Sequence, residues 1–227
     1  MMNGIDLNPL LLSAILGITV TIILFVIGLP LGYNLALKRY ALKPVIETIV
    51  TMPLVMPPTV LGFYLLLFLS PRLPVGHFLQ THLSLEFVFS FKGIVLASCI
   101  HSLPFMIQPI KNGFQSLDWS VVEASYTLGK GRFETFRRII LAELKPYIFT
   151  GIIMTFIHTL GEFGVVLMIG GSIPGVTRVT SIAIYENVEG SDFLNANIYA
   201  GILVFVSFTV IFIVNRINAR SMTRRSR

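Results

Sequence analysis

Charge is what this chain has least of. Only 12% of its 227 residues are Asp, Glu, Lys or Arg, where soluble domains carry about 25%. Hydrophobic residues reach 54%, and the mean hydropathy is +0.81. A soluble fold of this composition could not cover its surface with polar groups, so the chain reads as an integral membrane protein. Disorder, a disulfide scaffold and a cytosolic enzyme are excluded on the same ground. Cysteine is nearly missing: Cys99 alone cannot form an intramolecular disulfide or a Cys-rich metal site. The G-x-x-x-x-G-K-[ST] phosphate loop is missing too, since Leu128-Gly129-Lys130-Gly131 has no upstream glycine at the required spacing. The chain is therefore expected not to hydrolyse ATP, and no Ser/His/Asp constellation suggests another catalytic residue. His77, His82, His101 and His158 are not paired at ligand spacing, so no metal site is expected. His101 and His158 read as hydrogen-bonded packing residues.

What the chain does have is long uncharged runs: 7–37, 48–71, 93–110, 146–177 (broken only by Glu162) and 193–215. A helix needs about 20 apolar residues to cross the hydrocarbon core. Five spans follow, at about 10–37, 46–70, 91–112, 146–171 and 194–216, in one transmembrane domain covering 8–217. The stretch 73–85 is short and carries Pro74, Gly76, His77 and His82, and it reads as a loop near the interface. The first run is expected to be a true helix, because no positive charge precedes its long apolar core.

Lys and Arg are lopsided along these runs. Lys38, Arg39, Lys43, Lys111, Lys130, Arg132, Arg137, Arg138, Lys145, Arg216, Arg220, Arg224, Arg225 and Arg227 fall on one side, and only Arg72, Lys92 and Arg178 on the other. The positive-inside rule places the N-terminus outside and the C-terminus in the cytoplasm. The net charge of +6 is thus explained by topology and anionic lipid, and no nucleic-acid partner is expected. No inverted internal repeat is visible, which argues against a secondary transporter in one chain. Two copies could still assemble about an axis.

The cytoplasmic loop at about 113–146 is the most informative segment. Asp118 is placed to cap a helix carrying Trp119, Val122 and Tyr126 at helical spacing. Gly129 and Gly131 break that pattern. A second helix follows, with Phe133, Phe136, Ile140 and Leu144 on one stripe and Glu134 and Arg138 four residues apart. The run V-E-A-S-Y-T-L-G, 122 to 129, resembles the cytoplasmic loop motif of ABC importer permeases, E-A-A-x-x-x-G followed by x9-I-x-L-P. Glu123, Ala124, Gly129, Ile139 and Leu141 fall in register. Ser125 stands for the second alanine and Ala142 for the proline, a change that lets the second helix run on towards Pro146.

Two further segments sharpen the resemblance. T-M-P-L-V-M-P-P-T-V-L-G, 51 to 62, carries Pro53, Pro57 and Pro58, which remove backbone donors and kink or break a helix. L-G-E-F-G, 160 to 164, is followed by S-I-P-G-V-T-R, 172 to 178. Together these look like the permease subunits of oxyanion importers, most closely molybdate, with tungstate and sulfate/thiosulfate permeases as near relatives. The resemblance spans roughly residues 8 to 217.

It implies an all-α, five-span type I ABC importer permease fold that works as a homodimer. It also implies two cytoplasmic ATPase subunits, which hold ATP and Mg while this chain binds no cofactor, and an external oxyanion-binding protein. Trp119, Glu123, Ala124, Ser125 and Gly129 are then the candidates for coupling to the ATPase, although Trp119 and the phenylalanines could simply pack under the bundle. Pro57, Pro58, Thr59, Gly161, Glu162 and Gly164 are candidates for gate or path.

Glu162 is the one acid within a span, where a carboxylate is expensive and points to function. It is expected to tie span four to a neighbour or to help close an outer gate. No Lys or Arg lies deep in any span, so a tight anion site of fixed cations is excluded. The hydroxyls of Thr51, Thr59, Ser98, Ser102, Thr155 and Thr159 remain, each more often a helix contact than a pore lining. Arg178 is a candidate for contact with the anion or its binding protein, with lipid phosphate the alternative. The segment from Arg178 to Val188 is expected to lie as a short helix on the outer face. The rival of another class is a channel or ion-driven transporter using Glu162.

Overall fold

The computed structural model describes residues 6–225, with side chains described as far as Ile213 and again at Arg216. The charges at Arg220, Arg224, Arg225 and Arg227, part of the sidedness argument, lie outside the described side chains. Eleven α-helices follow one another, and no strand occurs among the described residues.

Helix α1 (Asn8–Leu37) carries Pro9 in its first turn, where the missing N–H costs nothing. It buries Ser13, Leu16, Gly17, Val20, Thr21, Leu24, Gly28, Gly32 and Leu35, a stripe at three- and four-residue spacing. Leu11, Ile15, Ile18, Ile22 and Val26 face outward, a surface suited to lipid. The stripe lies on α5 (Phe91–Gln115), the central helix, which also packs against α8 (Leu141–Gly161) and α9 (Gly164–Gly170). Small residues set that approach. A Cβ on Gly28 would sit 2.7 Å from Met106 Cγ, and one on Gly32 would sit 2.7 Å from Ile110 Cγ2. Ser90 caps α5 by accepting a bond from the Gly93 N–H at 3.2 Å.

The second expected span, 46–70, is not straight. Helix α2 (Lys43–Thr51) runs into a 3₁₀ turn (Met52–Leu54), and α3 (Pro58–Leu69) leaves at 113° to that limb. The cause is the proline cluster: Pro58 opens α3, and Pro57 before it takes the extended ψ of 131° that a residue preceding proline adopts. Twelve residues of α3 rise only about 18 Å, so this limb alone does not cross. Four helices among the described residues are long and apolar enough to cross a membrane, and the bent pair makes a fifth span only if its two limbs are taken together.

The stretch read as a loop at 73–85 is a helix, α4 (Pro74–Leu83). Pro74 presets its first turn, and Ser84 at φ +51° ends it. The missed signal is Phe78 and His82, four residues apart and stacked with centroids 4.7 Å from each other.

Two boundaries of the fourth span also differ from expectation. After α6 (Trp119–Thr127) and the glycine turn, α7 (Arg132–Thr135) passes through a π turn (Phe136–Ile140) into α8 (Leu141–Gly161). The result is one 30-residue helix, Arg132–Gly161, in place of a loop lasting to 146. Ala142 keeps the N–H that proline would lack, so no break falls there. At its far end this helix stops at Gly161 and restarts as α9 (Gly164–Gly170), so 146–171 is not a single helix. Helix α10 (Thr180–Glu189) lies where the sequence placed it. Thr180 ties it to α1: its N–H donates to Ser13 Oγ at 2.8 Å and its hydroxyl to the Pro9 carbonyl at 3.0 Å. Helix α11 (Phe193–Arg225) is apolar over Phe193–Ile213.

Gly32→Val is expected to overpack the α1–α5 seam and to destabilise by about 1–3 kcal/mol. Gly201→Val is the control, since Gly201 has no atom within 4 Å of a Cβ and should change stability by less than about 0.5 kcal/mol. Thermal unfolding of the purified variants in detergent checks both.

Candidate functional site

The fourth span breaks where Gly161 ends α8, and Glu162 then takes extended backbone (φ −69°, ψ 127°). Backbone that leaves a helix at membrane depth must find partners in protein. Ser181 of α10 supplies one, its hydroxyl donating to the Glu162 carbonyl at 2.6 Å. Helix α9 then packs on α3 through glycines. A Cβ on Gly62 would sit 2.7 Å from Met168 Cβ, and one on Gly164 would sit 3.0 Å from Pro58 Cβ.

These contacts bring the start of α3 against the break and leave a cavity of about 560 Å³ beside it. Its walls are Pro58, Thr59, His101, Ile157, His158, Gly161, Glu162, Phe163 and Gly164. Of the residues expected at a gate or path, Pro58, Thr59, Gly161, Glu162 and Gly164 thus line one space, while Pro57 stands beside it as the residue before α3. No Lys or Arg contributes to the wall.

The polar content of this site comes from α5 and the last turn of α8. Glu162 is 4% exposed and His101 8% exposed, with His101 Nδ1 3.1 Å from Glu162 Oε1. The contact has ion-pair distance without hydrogen-bond alignment, and neither carboxylate oxygen has a hydrogen-bond donor. His158 stacks on Phe105 with centroids 4.0 Å apart, and its ring lies 4.8 Å from that of His101.

A chain of hydroxyls assigns the protons on His158. Thr159 donates to the Thr155 carbonyl at 2.9 Å, so its oxygen accepts from Ser102 Oγ at 3.1 Å. Ser102 has then spent its proton, and His158 Nδ1, 3.0 Å away, must be the donor to it. Nδ1 carries the hydrogen, and Nε2 of the neutral ring keeps the lone pair.

This cluster corrects the expectation that no histidine lies at ligand spacing. His101, His158 and Glu162 each offer a ligand atom, and the three atoms lie within 4.8 Å of one another. The local signal was present in His158 and Glu162, four residues apart at a helix end. His101 comes from another helix and had no such signal.

The loop around α6 is a second candidate site. The Asp118 carboxylate accepts from the Ser120 hydroxyl at 2.7 Å and the Ser120 N–H at 3.0 Å, capping α6. Those bonds hold its carboxyl below the ordinary value. The cap is therefore complete at neutral pH and is lost only as acid protonates the carboxylate. Trp119, Glu123, Ala124 and Gly129 are exposed, as are Tyr126, Phe133 and Phe136, so the aromatics do not fold away under the bundle.

Ser125 does not share that face. It is buried, its hydroxyl 2.8 Å from that of Thr135, which is itself fully buried. It clamps α6 to the long helix and is closed to a docking partner. Gly129 takes φ +77°. On the other side of the molecule, Arg178 pairs with Glu186 of α10 at 2.7 Å, so its guanidinium is engaged within the chain.

Comparison with known proteins adds four findings. A family model described as "Binding-protein-dependent transport system inner membrane component" matches residues 25–224. The molybdenum transport system permease protein ModB of Azotobacter vinelandii is 41% identical over 207 residues, covering 91% of this chain and 92% of that protein. The sulfate transport system permease protein CysT of Salmonella typhimurium is 29% identical over 195 residues, covering 86% and 70%. Among solved structures, an inward-facing MetNI methionine ABC transporter chain superposes with a TM-score of 0.69 over 94% of each chain at 17% identity, a likeness of fold alone.

Ser125→Ala leaves the Thr135 hydroxyl buried without its partner and is expected to cost about 1–3 kcal/mol in thermal unfolding. Ala124→Ser, on the exposed face, should leave the transition within about 0.5 kcal/mol of wild type.

Proposed function

This chain belongs to the binding-protein-dependent transport system inner membrane components, the permease subunits of ABC importers, and on that premise we propose that it carries molybdate. The all-α type I permease fold expected from the sequence is present.

The observation that carries the mechanical part is a continuous connection. The exposed face of α6 is clamped by Ser125 and Thr135 to the foot of a 30-residue helix, and the far end of that helix is the cavity wall at Gly161–Glu162. At about 1.5 Å per residue this rod is roughly 45 Å long. A displacement at the loop therefore reaches the break without passing through a flexible joint.

In this reading two copies form a homodimer with the path on the two-fold axis. Two cytoplasmic ATPase subunits, which hold ATP and Mg, dock on Trp119, Glu123, Ala124 and Gly129. The N-terminus lies outside and the C-terminus inside, as the distribution of Lys and Arg requires. ATP-driven closure draws the docking helices together, moves the long helices and opens the path outward; hydrolysis resets it. An external binding protein selects the anion and delivers it.

The cavity suits passage more than retention. It has no fixed cation to hold a dianion, and the one carboxylate in its wall, Glu162, is buried against His101. The choice of molybdate is supported by the 41% identity to ModB of Azotobacter vinelandii.

The test is ATPase activity of the complex in liposomes with its binding protein, titrated with molybdate, tungstate and sulfate. Stimulation by molybdate at the lowest concentration is expected. Stimulation by sulfate alone would keep the transport mechanism and overturn the substrate. Glu123→Ala should cut anion uptake roughly tenfold, equivalent to about 1.4 kcal/mol of coupling, with membrane insertion unchanged. Unaltered uptake would sink the docking assignment. Gly129→Val should also fail, by backbone strain of about 1–2 kcal/mol, since no atom lies within 4 Å of its Cβ position. Gly129→Asn, which tolerates that φ, should be the milder variant.

A further inference from the structure

We propose that His101, His158 and Glu162 bind one divalent transition-metal ion of the zinc type at the break in the fourth span. We further propose that the bound ion arrests transport by pinning α5 to that break. The arrest rests on the cavity being part of the path; the binding does not.

The donor set is two imidazoles and one carboxylate, which suits zinc, cobalt and nickel. Three protein ligands with an open position are a common arrangement for an accessible zinc ion. Ligand atoms at about 2.0–2.2 Å from zinc lie roughly 3.3 Å from one another. His101 Nδ1 and Glu162 Oε1 already stand 3.1 Å apart, and all three ligand atoms fall within 4.8 Å. His158, half-buried beside them, supplies the third donor.

The second observation is the unmet bonding of the buried groups. Both oxygens of Glu162 and Nδ1 of His101 lack an aligned hydrogen bond, although Nδ1 and Oε1 stand 3.1 Å apart. Burying such groups unpaired is costly, and a cation shared between them removes the cost.

The third is the support behind His158. Ligand histidines donate their other ring N–H to an oxygen, which fixes the tautomer and aims the lone pair. Ser102 accepts that proton from Nδ1 at 3.0 Å, and its own proton goes on towards Thr159 and the Thr155 carbonyl. Nε2 is left as the donor to a metal. The cavity gives an ion access, and no Lys or Arg in its wall repels one.

The experiment uses the tag-free permease–ATPase complex in nanodiscs, with cobalt(II) as the spectroscopic probe. One cobalt ion per permease chain is expected, with visible d–d bands that zinc displaces. His158→Phe keeps the stack on Phe105 but removes the ligand, and should weaken binding at least roughly tenfold. His77→Phe, outside the cluster, should bind as wild type. X-ray absorption of the zinc-loaded wild-type complex should show two imidazoles and a carboxylate, which tests the site even if His158→Phe misfolds. Zinc should inhibit molybdate uptake by wild type and spare His158→Phe.

Absence of stoichiometric cobalt, a shell without imidazole, or bands indifferent to His158→Phe would overturn the site. Molybdate-stimulated ATPase activity persisting in those cases would leave the transport reading standing. Bound zinc without inhibition would overturn the arrest.

Discussion

Inside hydrocarbon there is no water to bond a peptide group, so a chain that leaves the helix at that depth must be enclosed by its own protein. The break at Gly161–Glu162 imposes that constraint, and much of the fold is arranged to meet it. Ser181 satisfies the Glu162 carbonyl. Helix α10, which carries Ser181, is held in turn to the start of α1 by Thr180 and Ser13. Helices α3 and α9 close from the other side through Gly62 and Gly164. The proline-driven bend before α3 serves the same end, because a straight second span could not place Pro58 and Thr59 beside the break.

The same enclosure explains why an acid can sit there. Glu162 is buried in the cavity wall and faces His101 of the central helix. A wall without Lys or Arg fits a family whose transport depends on a separate binding protein.

Stiffness is the other requirement of the proposed mechanism, in which a docking helix that merely hung from the membrane could not move a cavity at the far end of a helix about 45 Å long. Here Asp118 fixes the start of α6, Gly129 turns the chain at positive φ, and the buried Ser125–Thr135 contact joins α6 to the long helix. The Glu134–Arg138 pair, 3.3 Å apart and largely exposed, adds little beside that buried contact.

The sequence by itself determined the features that depend on composition and neighbours. Scarce charge meant membrane, runs of about 20 apolar residues meant spans, and Asp118 before Trp119 meant a capped helix. The E-A-S-x-x-x-G register identified the loop, and the proline cluster announced a disturbed second span. Tertiary structure alone decided what requires two distant segments to meet. Ser125 reads as one of several small residues in a docking motif until Thr135 is found against it. The second helix of the loop was legible as far as Pro146; that it fuses with the fourth span into one helix, Arg132–Gly161, was not, because proline reads as a break. The cluster at the break was least legible: His158 and Glu162 are four apart, but His101 arrives from α5, 57 residues before His158. Side-chain periodicity reports which face a residue occupies, and only packing reports what stands opposite.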